Sequence, residues 1–407
     1  YFLATLADWW RHYGTDADDI VTSRMPESYA WYDMSVGFRA LILSFFLNRI
    51  QHYALPLTTE QQLLLDRVAR KHIRHLAYPQ VFSFNNHGIF QMHGLVALTK
   101  TVADPQEFVA ERDYAVCRMV ELLEAQFDRR GVHREHSPHY HFYAVKMFSG
   151  AIQSGWYEDI PAFTERMALA VEAGKWLVDP RRRPICVGDS GLTEQKRVVF
   201  PQETGPEYIL SDFDASGYAV LRSGWTVPAK QASMVFLMGG YHTTTHKHRD
   251  CLSFDWFDKG RRIICDGGKY GYKSDIYRHY ALSYAAHNNI QFDGFDIIKM
   301  APYGSAIEEK TEQSDGIFTM TAALRMKAIT HIRRLHIRPG HWILIEDEIA
   351  QARPRKITQR WHLDSDFHLQ QAGDGVVRAV TEDGQGVTVE ALGWSPKMTI
   401  HRGDTDP

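Results

Sequence analysis

The feature that most constrains this chain is a single change in hydrophobic period. Up to about residue 180 apolar residues recur at helical spacing, and after about Phe200 they alternate or run in short strand-like blocks. ESYAWYDMSVGFRALILSFFLNRIQHYAL carries Phe38, Leu41, Leu43, Phe45, Phe46 and Ile50 at helical spacing. TTEQQLLLDRVARKHIRHLA is expected to start on Thr59 as cap and to bury Leu63, Leu64, Val68 and Ile73 along one stripe. DPQEFVAERDYAVCRMVELLEAQF has Pro105 near its start and acids in its first turn. SPHYHFYAVKMFSGAI begins on Ser137 as cap with Pro138 at the first helical position, and PAFTERMALAVEAGKWLV is amphipathic. Helices that follow one another with short breaks and no strands between them form a layer or ring of helical hairpins.

Periodicity stops at DPRRRPICVGDSG, Asp179 to Gly191, where Pro, Gly and Arg are dense. The expected organisation is a helical domain over 1–180, a linker over 181–199 and a β domain over 200–407. In the last, ASMVFLMGG reads as a buried strand. LSFDWFDKGRRIICDGG reads as a hairpin turning at Lys259-Gly260, HIRRLHIRPGHWILIEDEIA as one turning at Pro339-Gly340, and GVVRAVTEDGQGVTVEAL as one turning near Gly384. Consecutive hairpins without helices imply an antiparallel sandwich. The expected fold class is therefore multidomain, α then β.

The 407 residues suit two or three domains at ~150 residues each. A net charge of −3 gives no field that would draw the whole chain to nucleic acid or a membrane surface, so an acidic partner has to be held by a local Arg- or His-rich patch. No apolar run reaches the ~20 residues that span a bilayer. The chain opens at Tyr1 inside a helical pattern without a signal peptide, which suggests a mature or trimmed form. Cys117, Cys186, Cys251 and Cys265 make no CxxC pair, which argues against a thiolate zinc site. A Lys259-Gly260 turn sets Cys265 opposite Phe254 and on the other face from Cys251, so reduced thiols are expected.

Three segments could carry chemistry. FSFNNHGIFQMHG puts Asn85, Asn86 and His87 at a helix start, where an Asn cap followed by Gly88 is as good a reading as an amide and imidazole aimed into a cleft. REHSPHYHFYAV puts Tyr140 in the first turn of a helix with His136, His139 and His141 around it. The positive end of a helix favours a phenolate there, although a plain aromatic anchor is the commoner use. YHTTTHKHRDCLSFDWFDKGRRIICDGG is the densest. Read as a strand, it aims His246, His248 and Asp250 to one side and Lys247 and Arg249 to the other. With Asp266 and His287 downstream it offers a zinc-type donor set, or else polar decoration of a sheet rim.

Taken together, NNHG at 85–88, EHSPHYH at 135–141, HKHRDCLSFDWFDKGRRIICDGG at 246–268 and AAHNNIQFDG at 285–294 resemble the heparinase II/III-like superfamily of polysaccharide lyases. The resemblance implies an incomplete (α/α) toroid followed by an antiparallel β-sandwich, with a helical part shorter than is usual there. It implies a lyase acting on an acidic polysaccharide, periplasmic or secreted. It also implies that Asn86 neutralises a uronate carboxylate, that His87 assists or acts as base, that Tyr140 is acid or both acid and base, and that His246 closes the site from the sandwich. His248, Asp266 and His287 would hold a divalent metal, a structural zinc. Arg134, Arg249 and Arg278 are candidates for binding the polyanion in a cleft between toroid and sandwich.

These groups suit β-elimination. The proton on carbon 5 of a uronate is very weakly acidic, and donors that pin the carboxylate stabilise the charge that builds as it leaves. A tyrosine ordinarily titrates near pH ~10, so a catalytic one needs cationic neighbours. Two other classes compete: a glycan-binding or matrix protein that has lost catalysis, and a metal-dependent hydrolase with His246, His248 and Asp250 as ligands. The polymer, endo or exo action and oligomeric state are not written in the sequence.

Overall fold

The computed structural model describes residues 1–15, 20, 29–393 and 399–401. The chain divides into two compact units, residues 1–129 with 144–168, and residues 130–143 with 169–407. The helices are α1 (Phe2–Tyr13), α2 (Met34–His52), α3 (Thr59–Ala77), α4 (Asn86–Thr101), α5 (Val109–Gln126), α6 (Pro138–Ile152) and α7 (Pro161–Gly174). Each helical stretch read from the sequence is present.

Two details differ. The cap of α3 is Thr58, not Thr59: its hydroxyl accepts the Gln61 amide at 3.2 Å while the Gln61 side chain accepts the Thr58 amide at 3.0 Å. That reciprocal pair satisfies two amides that the helix itself leaves open, so it sets the start. The buried stripe of α3 runs through Leu65, Val68, Ile73 and Leu76, and Leu63 faces solvent. In α2 the buried face is made of small residues, Val36, Gly37, Ala40 and Ser44 with Leu43, while Phe38 and Phe45 are exposed. A Cβ on Gly37 would stand 2.3 Å from the Phe90 carbonyl, and one on Gly94 would stand 2.5 Å from the Gly37 carbonyl. Helices α2 and α4 thus meet backbone to backbone, which leaves no room for the larger apolar residues between them.

In the other unit the strands are β1 (Tyr208–Leu210), β2 (Tyr218–Ser223), β3 (Ser233–Met238), β4 (Gly240–Tyr241), β5 (Phe254–Asp258) and β6 (Arg261–Ile264). A short helix, α8 (Ile276–Leu282), precedes β7 (Ile290–Phe292) and β8 (Gly304–Ser305). Then come β9 (Ile307–Glu312), β10 (Phe318–Arg325), β11 (Ile329–Arg338), β12 (Trp342–Gln351), β13 (Ile357–Gln359), β14 (His368–Gly373), β15 (Val376–Val380) and β16 (Gly386–Glu390). Antiparallel sheets ordered β1-β2-β3-β5-β6 and β12-β11-β10-β9 face each other. Leu221, Val235, Leu237 and Phe254 of the first meet Met320, Leu324, Leu335 and Ile337 of the second in one core. The helices-then-sandwich order expected from the sequence is the fold.

The first sheet is buried on its other face too, where Tyr218, Val220, Met234, Phe236 and Met238 pack on Val132, Ala173, Leu177, Ile185 and Val187. That is why β2 and β3 are buried at every position. It is also why residues 130–143 and 169–180 group with the strands. Residues 181–199 form no helix or strand, but Pro184–Ser190 is buried.

The Lys259-Gly260 turn is where the sequence put it, with both residues at positive φ. Beyond Phe257↔Arg262 a bulge shifts the register, so Trp256 pairs with Ile264 and Cys265 does not face Phe254. All four cysteines are free thiols. The strand expected through His246, His248 and Asp250 is absent: β4 ends at Tyr241, and residues 242–253 are turns and coil. No helix among the described residues is long and apolar enough to cross a membrane.

Candidate active site

Ser137 and Pro138 start α6 as expected. The Ser137 hydroxyl accepts the Tyr140 amide at 3.3 Å and shares a hydrogen bond with the Ser190 hydroxyl at 3.0 Å. Ser190 in turn accepts the His139 amide at 3.2 Å. Tyr140 is thereby held in the first turn, at the positive end of the helix. Its ring stacks on the His246 imidazole with centroids 3.5 Å apart and planes 14° from parallel.

His246 donates from Nδ1 to Glu135 at 2.9 Å, which fixes the tautomer and leaves Nε2 as the nitrogen with a lone pair. Burial works against the Glu135 charge, but the His246 hydrogen bond and the nearby imidazoles outweigh it and hold the carboxyl below its ordinary value. The Tyr140 and Tyr272 hydroxyl oxygens are 2.5 Å apart. Burial, the Tyr140 hydroxyl and the Asp189 charge push the Tyr272 hydroxyl well above its ordinary value. Either hydroxyl can be the donor in this pair; with Tyr272 as donor, the Tyr140 hydroxyl hydrogen is left for another partner.

The backbone around these side chains is unusual. His136 and His246 are both in the left-handed region, at φ 59° and 53°. Such conformations cost ~1–3 kcal/mol each for a residue with a Cβ and persist only where surrounding structure enforces them. Gly188, at φ 54°, lies against both: a Cβ there would stand 2.5 Å from the His136 carbonyl and 3.0 Å from the His246 carbonyl. The Gly188 amide donates to Asp250 at 2.9 Å, and the other oxygen of Asp250 accepts from the buried Lys247 ammonium. Burial penalises the Asp250 charge, yet Lys247 outweighs that and holds the carboxyl at about 2. This buried pair locks the segment that carries His246 and His248.

The three residues offered as hydrolase metal ligands therefore go to different partners. His246 faces Glu135 and Tyr140, Asp250 faces Lys247 and Gly188, and His248 donates from Nε2 to Asp189 at 2.9 Å. Without a strand to align them they do not converge.

Asp189 also takes both guanidinium nitrogens of Arg278, so that cation is committed to a carboxylate while its guanidinium lies 5.2 Å over the Tyr272 ring. Arg249 is likewise tied to Asp296 through two contacts of 2.8 Å. Arg134 is solvent-exposed. Of the three arginines expected to meet a polyanion, two serve the scaffold, and Lys269, 4.6 Å over the Tyr272 ring, is the nearer cation to the tyrosine pair.

Of the expected metal set, His287 donates from Nδ1 to both oxygens of Asp266 at 2.9 Å, and Asp266 also accepts from Ser253 at 2.8 Å. Burial works against a charge on His287, but Asp266 outweighs it and raises the imidazole. His248 Nδ1 and His287 Nε2 are buried without hydrogen-bond partners, and their rings are 5.4 Å apart. Two open imidazole nitrogens beside a carboxylate fit zinc in donor type. Asp266, however, is turned onto His287, and among the described residues no three His, Cys, Asp or Glu side chains stand at ligand spacing.

In the helical unit Asn85 is the cap of α4, accepting the His87 amide at 2.8 Å. Asn86 is the first residue of the helix and half-buried. Gly88 is required by close approach, since a Cβ would stand 2.1 Å from the Ser83 carbonyl. His87 donates from Nδ1 to Asp33 at 2.6 Å, and Asp33 also accepts from Ser83 at 3.0 Å. Here too a carboxylate fixes an imidazole with Nε2 outward.

Sequence reasoning missed Glu135, Asp189, Tyr272 and Asp33. Glu135 stands inside a quoted motif and could have been found by asking which carboxylate orients a histidine. Asp189 lies in a stretch read as linker. Tyr272 and Asp33 carry no local signal, because their partners are 132 and 54 residues away.

Residues 2–198 match the family described as Heparinase II/III N-terminus, and residues 206–401 match Heparinase II/III-like, C-terminal. No curated protein matches the chain at a significant level. Among solved structures, a heparinase III is similar at 17% identity with a TM-score of 0.75, covering 97% of this chain and 68% of its own. A heparan sulfate lyase mutant from Pedobacter heparinus is similar at 16% identity with a TM-score of 0.74, covering 97% and 65%. A further heparinase III shows 15% identity and a TM-score of 0.70, covering 96% and 65%. The chain thus spans about two thirds of the length of these proteins, and likeness at such identities establishes a shared fold. With both family regions matched in order along nearly its whole length, the chain belongs to the heparinase II/III-like family.

Proposed function

We propose that the protein is a polysaccharide lyase that cleaves a uronic-acid-containing polysaccharide by β-elimination. The observation that carries this reading is the Tyr140–His246 stack, with Glu135 behind the imidazole and Tyr272 on the phenol. A base and an acid are held face to face, each oriented by a second group.

In this reading His246 takes the proton from carbon 5 through Nε2, and Glu135 stabilises the imidazolium that forms. The electron pair left on carbon 5 becomes the carbon 4–carbon 5 double bond as the bond from carbon 4 to the glycosidic oxygen breaks. Tyr140 gives its proton to that leaving oxygen, and the hydrogen bond from Tyr272 stabilises the phenolate left behind. Asn86 is assigned to the uronate carboxylate and His87 to its support, by resemblance. Arg134 remains the proposed contact to the polymer, while Arg249 and Arg278 are held by Asp296 and Asp189.

A zinc ion is proposed on the open nitrogens His248 Nδ1 and His287 Nε2, and it would need Asp266 to turn from His287 to complete the set. Metal analysis of the purified protein and of His287→Ala checks this. The proposed location is periplasmic or extracellular, and cell fractionation tests it.

The decisive experiment incubates the protein with heparan sulfate, alginate and a bacterial exopolysaccharide and follows ultraviolet absorbance of the unsaturated product. Product is expected from at least one polymer and abolished in Tyr140→Phe and in His246→Ala. Hydrolysed, saturated ends by mass spectrometry would sink the lyase reading, and full activity in both variants would sink the assignment of the site.

A further inference from the structure

The β unit holds a polar cavity, of about 610 Å³, that shares no residue with the site above. Six cations line it, Arg181, Arg183, Lys230, Lys259, Arg261 and Arg262, against three carboxylates, Asp364, Asp366 and Asp383. Asp179 and Asp255, which pair with two of these arginines, bring the carboxylates to five, so the cavity keeps a local excess of positive charge in a chain of net charge −3.

Three of the cations are committed. Arg183 donates to Asp179 at 2.8 Å, Arg262 lies 3.6 Å from Asp255, and Arg261 pairs with Asp383. Lys259 donates to the Gly340 carbonyl at 2.7 Å. Arg181 and Lys230 are exposed, and among the described residues neither has an ion pair. They are the cations available to a ligand.

The cavity is built rather than incidental. Asp179, 2% exposed, accepts the Arg181 amide at 2.8 Å and the Arg183 amide at 3.0 Å, so the Asp179–Arg183 loop has one conformation that presents Arg181. Gly260, at φ 86° in the β5–β6 turn, supplies the missing wall. A Cβ there would stand 3.1 Å from Lys230 Cα and 3.5 Å from Arg181 Nη2. The bare turn lets both cations lie against it.

We propose that this cavity is a second binding site for an acidic glycan, which takes a sulfate or carboxylate on a sugar remote from the reacting one. The choice of a glycan rests on the lyase reading, while the cavity's affinity for a polyanion does not. The guanidinium fork of Arg181 matches either anion with two parallel hydrogen bonds, and Lys230 adds a point charge. A second attachment keeps the chain near the catalytic groups after each cut, raising its effective concentration there.

The test uses fluorescence anisotropy with labelled heparan sulfate, alginate and single-stranded DNA. Binding is compared for Tyr140→Phe, which leaves the polymer uncut, and for the same protein carrying Arg181→Glu and Lys230→Glu. At low salt the Kd for a glycan is expected to rise about tenfold in the charge-reversed protein, with the difference closing as salt screens exposed charge. A loss confined to heparan sulfate assigns the cavity to sulfate, and a loss with alginate assigns it to carboxylate. The Arg181→Gln, Lys230→Gln pair, with melting temperature as control, shows the same loss in smaller measure if folding is intact. A Kd within twofold of the parent for both glycans in both pairs overturns the proposal, as does DNA binding tighter than either glycan. Because anisotropy needs no turnover, absence of an unsaturated product from the wild type would strike the lyase reading alone.

Discussion

Glu135 acts on the reaction only through His246, which makes it the sharpest test of the proposed dyad. Glu135→Gln keeps the shape and leaves a carbonyl that still accepts the Nδ1 hydrogen bond, but it removes the charge. Hydrogen bonds to charged groups contribute ~1.5–3 kcal/mol and neutral ones ~0.5–1.5, so the loss is about 1 kcal/mol as the imidazole becomes positive in the transition state. That corresponds to roughly fivefold in kcat. Glu135→Ala removes the bond outright and is expected to cost about ten- to a hundredfold, the lower part of that range being favoured because the Glu135 side chain keeps a quarter of its surface in water. The assay is initial rate from ultraviolet absorbance across pH. A merely structural carboxylate would lower kcat evenly across pH, whereas a counter-charge moves the acidic limb of the profile to lower pH when it is removed. Both variants within twofold of wild type, with an unmoved profile, would refute the pairing of roles.

Three further outcomes follow from the same geometry. Arg333, fully buried, holds Asp347 through two bonds of 2.8 and 2.9 Å and also the Leu252 and Asn288 carbonyls, so Arg333→Ala is expected to cost ~3–5 kcal/mol by urea unfolding; a loss under ~1 kcal/mol would contradict it. Burial holds His72 and His141 near 3 and His75, His93 and His133 near 4, below the ordinary 6.5, so the unfolded chain binds protons the native chain does not. Stability is therefore full above about pH 6.5 and falls below it by up to ~1.4 kcal/mol per pH unit for each histidine, until each folded value is reached. Asp255, raised to about 6 by burial, opposes this between about pH 4 and 6, and the raised Asp258 and His287 act in the same direction, three groups against five. A melting temperature flat from pH 7 to 5 would be inconsistent with that balance. Gly188→Ala is expected to lose ~1–3 kcal/mol from the strained φ alone and to lower kcat further by pushing apart the His136 and His246 carbonyls; wild-type kinetics would show that the contact is slack.

The helices and hairpins were legible because each is a local pattern. Ser137-Pro138 starts a helix wherever it meets an apolar period, and Lys259-Gly260 turns a hairpin by its own φ preferences. What depended on packing was not legible. The buried face of α2 is set by Gly37 and Gly94 meeting α4, so Phe38 and Phe45, the most apolar residues at helical spacing, are turned to solvent. The segment from His242 to Ser253 reads as a strand only if the strand-like blocks on either side are taken to run through it. Its backbone is instead fixed by long-range contacts: Asp250 to Gly188, His248 to Asp189, His246 to Glu135. The residue types of the site were readable, since Tyr140 and His246 do stand together. The carboxylates that orient them were not, because an orienting partner needs no sequence proximity.

The separation of those partners has a consequence for how the protein is made. Glu135 and Tyr140 leave the ribosome well before the residues that complete their site, and Glu135 is 111 positions ahead of His246. At ~5–20 residues per second that is a wait on the order of ten seconds. During that wait the segment 130–143 has no sheet to lie on, because β2 and β3, which cover Val132, are not yet synthesised. The start of α6 must stay uncommitted while the helices before it fold. A fragment cut at the apparent junction near Phe200 would strand these residues on the wrong piece, giving a sandwich with His246 but neither Glu135 nor Tyr140.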